Sequence, residues 1–231
     1  SRDTSLGFNF SPPYFYDGQG IMVRVDSGID SLADMDGKSI CAQSGTTTEK
    51  NISDAARRHG IDLEVLVYTE MNQIRETYLA GRCDGYTTDQ SELIGYHAIM
   101  DNPDQHKILP DVVSKEPLAI YVRHGDDNWF DIMNWTFYCM VGAEELEVTS
   151  ENVDEMLTSE NPVVLAMLGV EGELGKPMGL NNDWCYQVIK QVGNYGEVFS
   201  RNLGPDSPLK LERGLNDLWN RGGLLYAPPM R

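Results

Sequence analysis

Between residues 20 and 122 the chain alternates strand-like and helix-like segments, and this alternation limits its fold more than any other feature. Residues 21–25, 38–42, 63–68, 83–88, 107–109 and 118–122 are short runs rich in β-branched or apolar side chains, which predicts strands. Helical spacing lies between several of them, over 51–59 (closed by Gly60), 71–80 (closed by Gly81) and 91–100. Residues 26–37 read as a loop, a short helix and a turn. The order β-β-α-β-α-β-α-β-β predicts an α/β fold with an open central sheet and crossover helices. Ahead of it, Pro12-Pro13 and Asp17-Gly18 read as turns.

After Gly125 the pattern changes. Residues 129–141, 150–158, 163–168, 183–192, 196–203 and 209–219 carry helical spacing, and 224–226 is the one strand candidate. Amphipathic helices need a surface to cover. A helix-rich segment with almost no sheet of its own therefore expects a sheet from elsewhere.

The formal net charge of −18 argues against nucleic acid or an anionic membrane as partner, because both require a basic face. It is otherwise a solubility trait and does not define a ligand. No apolar run reaches the ~18 residues of a membrane span, and the start at Ser1 reads as a processed or internal end without a signal peptide. Cys41, Cys83, Cys139 and Cys185 form no CxxC pair and have no histidine at ligand spacing, so no metal is expected. Their even number suits disulfides in an oxidising compartment.

Three features could carry binding chemistry. The turn Gln43-Ser44-Gly45-Thr46-Thr47-Thr48 leaves a strand and opens a helix, where free N–H groups and hydroxyls suit a carboxylate. Plain N-capping explains the same residues. Thr87-Thr88-Asp89-Gln90 also ends a strand, where ligands bind in open α/β sheets, and an unpaired Asp89 there would hold an ammonium group. Capping of the next helix competes with that reading. Arg2 offers a planar fork for a carboxylate, or is a solvated terminal arginine. Catalytic readings are poor: His59, His97, His106 and His124 stand apart, and no GxSxG elbow exists. The aromatic residues of 129–138 follow helical spacing and read as core.

These segments together resemble the periplasmic solute-binding proteins of ABC transporters, in the branch for polar and general L-amino acids. The resemblance is carried by SRDTSLGFNF (1–10), YDGQGIMV (16–23), SGTTTE (44–49), AGRCDGYTTDQSEL (80–93), SKEPLAIYVRHGDDNWFDI (114–132), VGNYGEVFSRNLG (192–204) and SPLKLERGLNDLWNRGGLLYAPPMR (207–231). It implies two α/β lobes joined by two hinge strands that close on one amino acid, delivered to an ABC permease in the membrane, in the periplasm or outside the cell. It implies no cofactor and no catalysis. The fold has been recruited for dehydratase chemistry, but no general acid stands out here to support an enzyme.

By the same resemblance Arg2 pairs with the ligand carboxylate, with Thr47 and its neighbour Thr46 adding bonds. Asp89 holds the α-amino group, and Gln43 touches the ligand side chain. A Cys41–Cys83 disulfide is implied, worth about 3–4 kcal/mol for a loop of about 40 residues in the chain-entropy model; Cys139 could pair with Cys185. The expected division is residues 1–19 as a first-lobe remnant and hinge, 20–118 as the ligand-binding second lobe, and 119–231 as the hinge return and helix-rich remainder of lobe 1.

The resemblance also implies a departure. Family members carry a further segment before this start, with the main strands of lobe 1 and part of the pocket. A homodimer through the incomplete lobe 1 would cover the exposed apolar face such a chain is expected to have. A repacked monomer and a fragment of a longer chain are the other arrangements. If the ligand site is incomplete, the alternative function is an interaction or vestigial module.

Overall fold

The computed structural model describes residues 5–230, and these form two compact units. One is Tyr16–Pro117. The other is Ser1–Phe15 together with Leu118–Arg231, so the chain passes between them twice. Arg2 lies outside the described residues.

The Tyr16–Pro117 unit is built on β2 (Phe15–Arg24), β3 (Lys38–Gln43), β4 (Leu63–Tyr68), β5 (Gly85–Asp89), β6 (His106–Ile108) and β7 (Lys115–Leu118), following β1 (Phe8–Phe10) of the other unit. The sheet order is β4-β3-β5-β2-β6, with β7 also pairing β2. Strand β3 runs parallel to β4 and β5, whereas β2 is antiparallel to β5 and β6. Three helices cross over: α1 (Thr47–His59), α2 (Met71–Leu79) and α3 (Gln90–Ala98).

Both sheet faces are buried, and the period-2 alternation of the strands distributes them. Ile21, Val23 and Ile40 pack with Ile52 and Ala55 of α1. Met22, Cys41 and Tyr86 pack on the opposite side with Ile74 and Tyr78 of α2 and Leu93 of α3. A disulfide joins Cys41 of β3 to Cys83, just ahead of β5, with Cα atoms 5.8 Å apart.

Two sequence expectations fail here. Asp17-Gly18 is not a turn but the interior of β2. A Cβ on Gly18 would lie 2.5 Å from Val112 Cγ1, and one on Gly20 would lie 2.7 Å from Gln90 Cγ. These glycines serve close approach of a loop and of α3 onto the strand, not backbone reversal. The strand expected over 118–122 is two strands: β7 pairs β2, and β8 (Tyr121–Arg123) pairs β1. The break falls at Ile120, whose N–H donates to Ser11 Oγ at 2.9 Å.

The other unit holds the β1–β8 ribbon and a set of helices: α4 (Asp127–Glu145), α5 (Val153–Met156), α6 (Pro162–Met167), α7 (Trp184–Val192) and α8 (Tyr195–Asn202). Asp126 starts α4 by accepting from Trp129 N–H at 3.0 Å, and Asn194 and Glu197 form a capping box at α8. A second disulfide, Cys139–Cys185, ties α4 to α7 inside a core that includes Ala143, Val164, Met167 and Ile189. The helix expected over 209–219 is absent. Lys210 and Gly214 have φ of 52° and 50°, and only two short 3₁₀ turns form, at Gly214–Asn216 and Trp219–Arg221. Long-range bonds hold this segment instead: Arg213 forks onto Glu144 with two 3.0 Å bonds, and Arg221 adds a third at 3.2 Å.

Candidate functional site

Parallel neighbours in a sheet end at the same edge, and that edge is where open α/β sheets bind ligands. Strands β3 and β5 are such neighbours. Gln43 is the last residue of β3 and Asp89 the last of β5, so the sequence candidates Gln43, Thr46, Thr47 and Asp89 gather at one edge of the Tyr16–Pro117 unit.

The turn after β3 divides its labour. Thr46 is the N-cap of α1: its hydroxyl donates to Gln43 O at 2.7 Å and accepts from Glu49 N–H at 3.3 Å. Glu49 reaches back to accept from Gly45 N–H at 2.7 Å. The capping reading therefore accounts for the Thr46 side chain. Thr47 is the first helical residue and is exposed. The N–H groups of a helix's first turn lack intrahelical acceptors and sit at the positive end of its dipole, so an anion is stabilised there. Gln43 donates to Thr69 O at 3.1 Å.

Asp89 behaves differently from the cap it could have been. It occupies the N-cap position of α3, but its carboxylate accepts no capping bond. Among the described residues it pairs with no cation either. Burial, and after it the charges of Asp17, Glu116 and Glu92, push its pKa up from 3.8 to about 6. The three neighbouring carboxylates are all engaged. Asp17 accepts from Gly18 N–H at 2.8 Å and from Ser91. Glu116 accepts from Asn51 at 3.0 Å and Ser114 at 2.6 Å, and Glu92 from Arg75 and Thr88 at 3.0 Å each. Asp89 is the carboxylate left over. Such a group gains most from a cation with several donors, as an ammonium has.

Sequence reasoning missed Gln19, which is fully buried on β2 directly across from Asp89. Its Nε2 donates to Thr48 O at 3.1 Å and to Thr87 Oγ1 at 2.9 Å, and Thr87 in turn donates to Gly20 O at 2.7 Å. One side chain thus ties the first turn of α1 to the end of β5. A lone glutamine between two glycines that lead into the apolar run Ile21-Met22-Val23 is the signal that marks it, hidden here by reading Asp17-Gly18 as a turn. No group of histidine, cysteine or carboxylate side chains among the described residues could hold a metal ion.

Residues 17–107, which contain this edge, match a family model described as NMT1/THI5 like. The whole chain is 52% identical to the General L-amino acid-binding periplasmic protein AapJ of Rhizobium johnstonii, spanning 68% of that protein. It is 44% identical to the Glutamate/glutamine/aspartate/asparagine-binding protein BztA of Rhodobacter capsulatus, spanning 69% of it. The chain belongs to the periplasmic amino-acid-binding proteins of ABC transporters. A solved periplasmic binding protein of this kind from Brucella ovis, with glutathione bound, superposes with a TM-score of 0.96 at 47% identity, covering all of this chain and 73% of that one. The fold is thus the periplasmic-binding-protein fold expected from the resemblance. This family comprises solute-binding transporter components, not enzymes, and works outside the cytoplasm. No helix among the described residues is long and apolar enough to cross a membrane.

Proposed function

We propose that this protein binds a free L-amino acid outside the cytoplasm for uptake by an ABC permease, with Asp89 receiving the α-ammonium group. The observation that carries the reading is Asp89 itself: half-buried, surrounded by carboxylates, and without a capping bond or a cation among the described residues. Thr47 and the N–H groups at the head of α1 receive the α-carboxylate, and Thr46 shapes that turn. Gln43 faces the ligand side chain, and Arg2 supplies the guanidinium for the carboxylate by resemblance to the family.

Thermal shift and calorimetry against the twenty amino acids test this. A ligand at 100 times its Kd adds about 2.7 kcal/mol of stability, and Asp89→Ala should remove that gain. No response to any amino acid would sink the reading.

A second reading has a specific observation behind it, the glutathione in the Brucella ovis relative. The γ-glutamyl residue of glutathione keeps a free α-ammonium and α-carboxylate, so the same groups would hold it, with the peptide extending from the side-chain end. Glutathione belongs in the ligand panel, and tighter binding of glutathione than of glutamate or glutamine would favour this reading. A homodimer through the helix-rich unit is part of the proposal. Tyr121, Trp129, Leu215, Trp219 and Tyr226 are each 51–61% exposed there. A monomer by light scattering at working concentration would overturn the dimer.

A further inference from the structure

Asp89 ends β5 at the position from which a short acidic side chain ordinarily caps the following helix. Its backbone adopts an extended N-cap conformation, φ −56° and ψ 139°, yet its carboxylate makes no bond to α3. The first-turn N–H of Ser91 is satisfied by a residue 74 positions away. Both carboxylate oxygens of Asp17 accept from it at 3.4 Å, and the Ser91 hydroxyl donates to Asp17 as well.

The β2–β5 register explains the arrangement. Gln19 lies across from Asp89 in the antiparallel ladder, with Ile21 across from Thr87. The ladder ends at the Gln19–Asp89 pair; Asp17 stands two residues before Gln19 and Ser91 two residues after Asp89, in the first turn of α3, so the strand delivers Asp17 to the helix start. The short approach of α3 to β2 depends on the bare backbone at Gly20, where a Cβ would meet Gln90 Cγ at 2.7 Å and Leu93 Cδ1 at 3.1 Å. The engagement of Asp17 is completed by Gly18 N–H at 2.8 Å.

We infer that Asp17 is a positioning residue that caps α3 in place of Asp89, and so leaves the Asp89 carboxylate free for a ligand ammonium. This rests on the reading of Asp89 proposed above. Without an acceptor at position 17, Asp89, which already holds the N-cap position, turns onto the first-turn N–H groups, and the ligand then competes with the helix for it. Removal of Asp17 consequently weakens binding through its effect on Asp89, and the helix loses less than a cap normally contributes because Asp89 takes over.

Two measurements on the full chain test this. In calorimetry with L-glutamine as probe, Asp17→Ala should weaken binding about tenfold or more, whereas Asp17→Asn should stay within about threefold of wild type, since its amide oxygen still accepts from Ser91 N–H. Equal weakening by both variants overturns the inference, because the lost charge and not the cap would then be responsible. In ligand-free thermal unfolding, Asp17→Ala/Asp89→Ala should fall by about 3 °C more than the sum of the single variants, the signature of one residue substituting for the other. Additive losses overturn the inference whatever happens to binding. Non-additive losses with Asp89→Ala binding L-glutamine as tightly as wild type overturn the proposed function instead, and sustain the exchange of caps.

Discussion

Two carboxylates, one in each unit, show how differently the same chemical group is treated. Glu144 in α4 is 6% exposed and is held by Arg213 and Arg221. Asp89 at the end of β5 is partly buried too, but burial and then three carboxylates raise its pKa, and among the described residues no guanidinium or ammonium offsets them. Arg213 also lies over the rings of Tyr195 and Phe199, 5.2 and 5.0 Å from their centroids, so the guanidinium that compensates Glu144 is itself packed against aromatic rings. A compensated buried charge holds a fold together. An uncompensated one, placed where solvent still reaches it, is costly until something arrives to neutralise it. The helix-rich unit uses its charges for the first purpose; on the proposed function the α/β unit reserves one for the second.

The harshest way to break this comparison is to remove the covalent support of the helix-rich unit. Replacing Cys139 and Cys185 together by Ala should cost about 4 kcal/mol in the chain-entropy model for their 46-residue separation, read as a lower denaturation midpoint. Next in size, Arg213→Ala strips Glu144 of its fork and should destabilise by about 3 kcal/mol, near the low end for broken buried pairs because Arg221 remains. A loss under about 1 kcal/mol there would erase the distinction between the two carboxylates.

Asp89 should respond with the opposite sign. Asp89→Asn should raise the stability of the ligand-free protein at pH 7 by about 1 kcal/mol, allowing for solvent screening at a half-buried site. Its raised pKa sets a pH window as well. The folded form keeps its proton longer than the unfolded chain, so this group's contribution is full below pH 3.8 and is lost as pH rises through about 6. On the proposed function ligand binding needs the ionised form and should therefore weaken as pH falls below about 6. A binding curve flat from pH 7 to 5 would remove Asp89 from the site. The smallest effects separate Thr46 from Thr47. Thr46→Ala should cost about 1 kcal/mol as a lost cap, while Thr47→Ala should change stability by under about 0.5 kcal/mol and show its effect in affinity.

Much of the α/β unit was legible because its signals are local. Strands β3 and β4 and helix α1, with Thr46 as cap, follow from residues within a few positions of one another. The end of the chain was not legible for the converse reason. Residues 209–219 have helical spacing, but their conformation answers to Glu144, 69 residues before Arg213. Asp17-Gly18 misled in the same way: aspartate and glycine are turn formers by local rule, yet here one caps a distant helix and the other admits a neighbouring loop.

By itself, then, the amino-acid order determined the alternation of strands and helices, the helix start at Thr46-Thr47 and the presence of Asp89 at a strand end, because backbone preferences and side-chain periodicity act over a turn or two of chain. Whether Asp89 would be a helix cap or a free carboxylate was decided only in three dimensions. The antiparallel register of β2 with β5 brings Asp17 to the first turn of α3 and Gln19 opposite Asp89, and charge compensation depends on which groups meet across that distance.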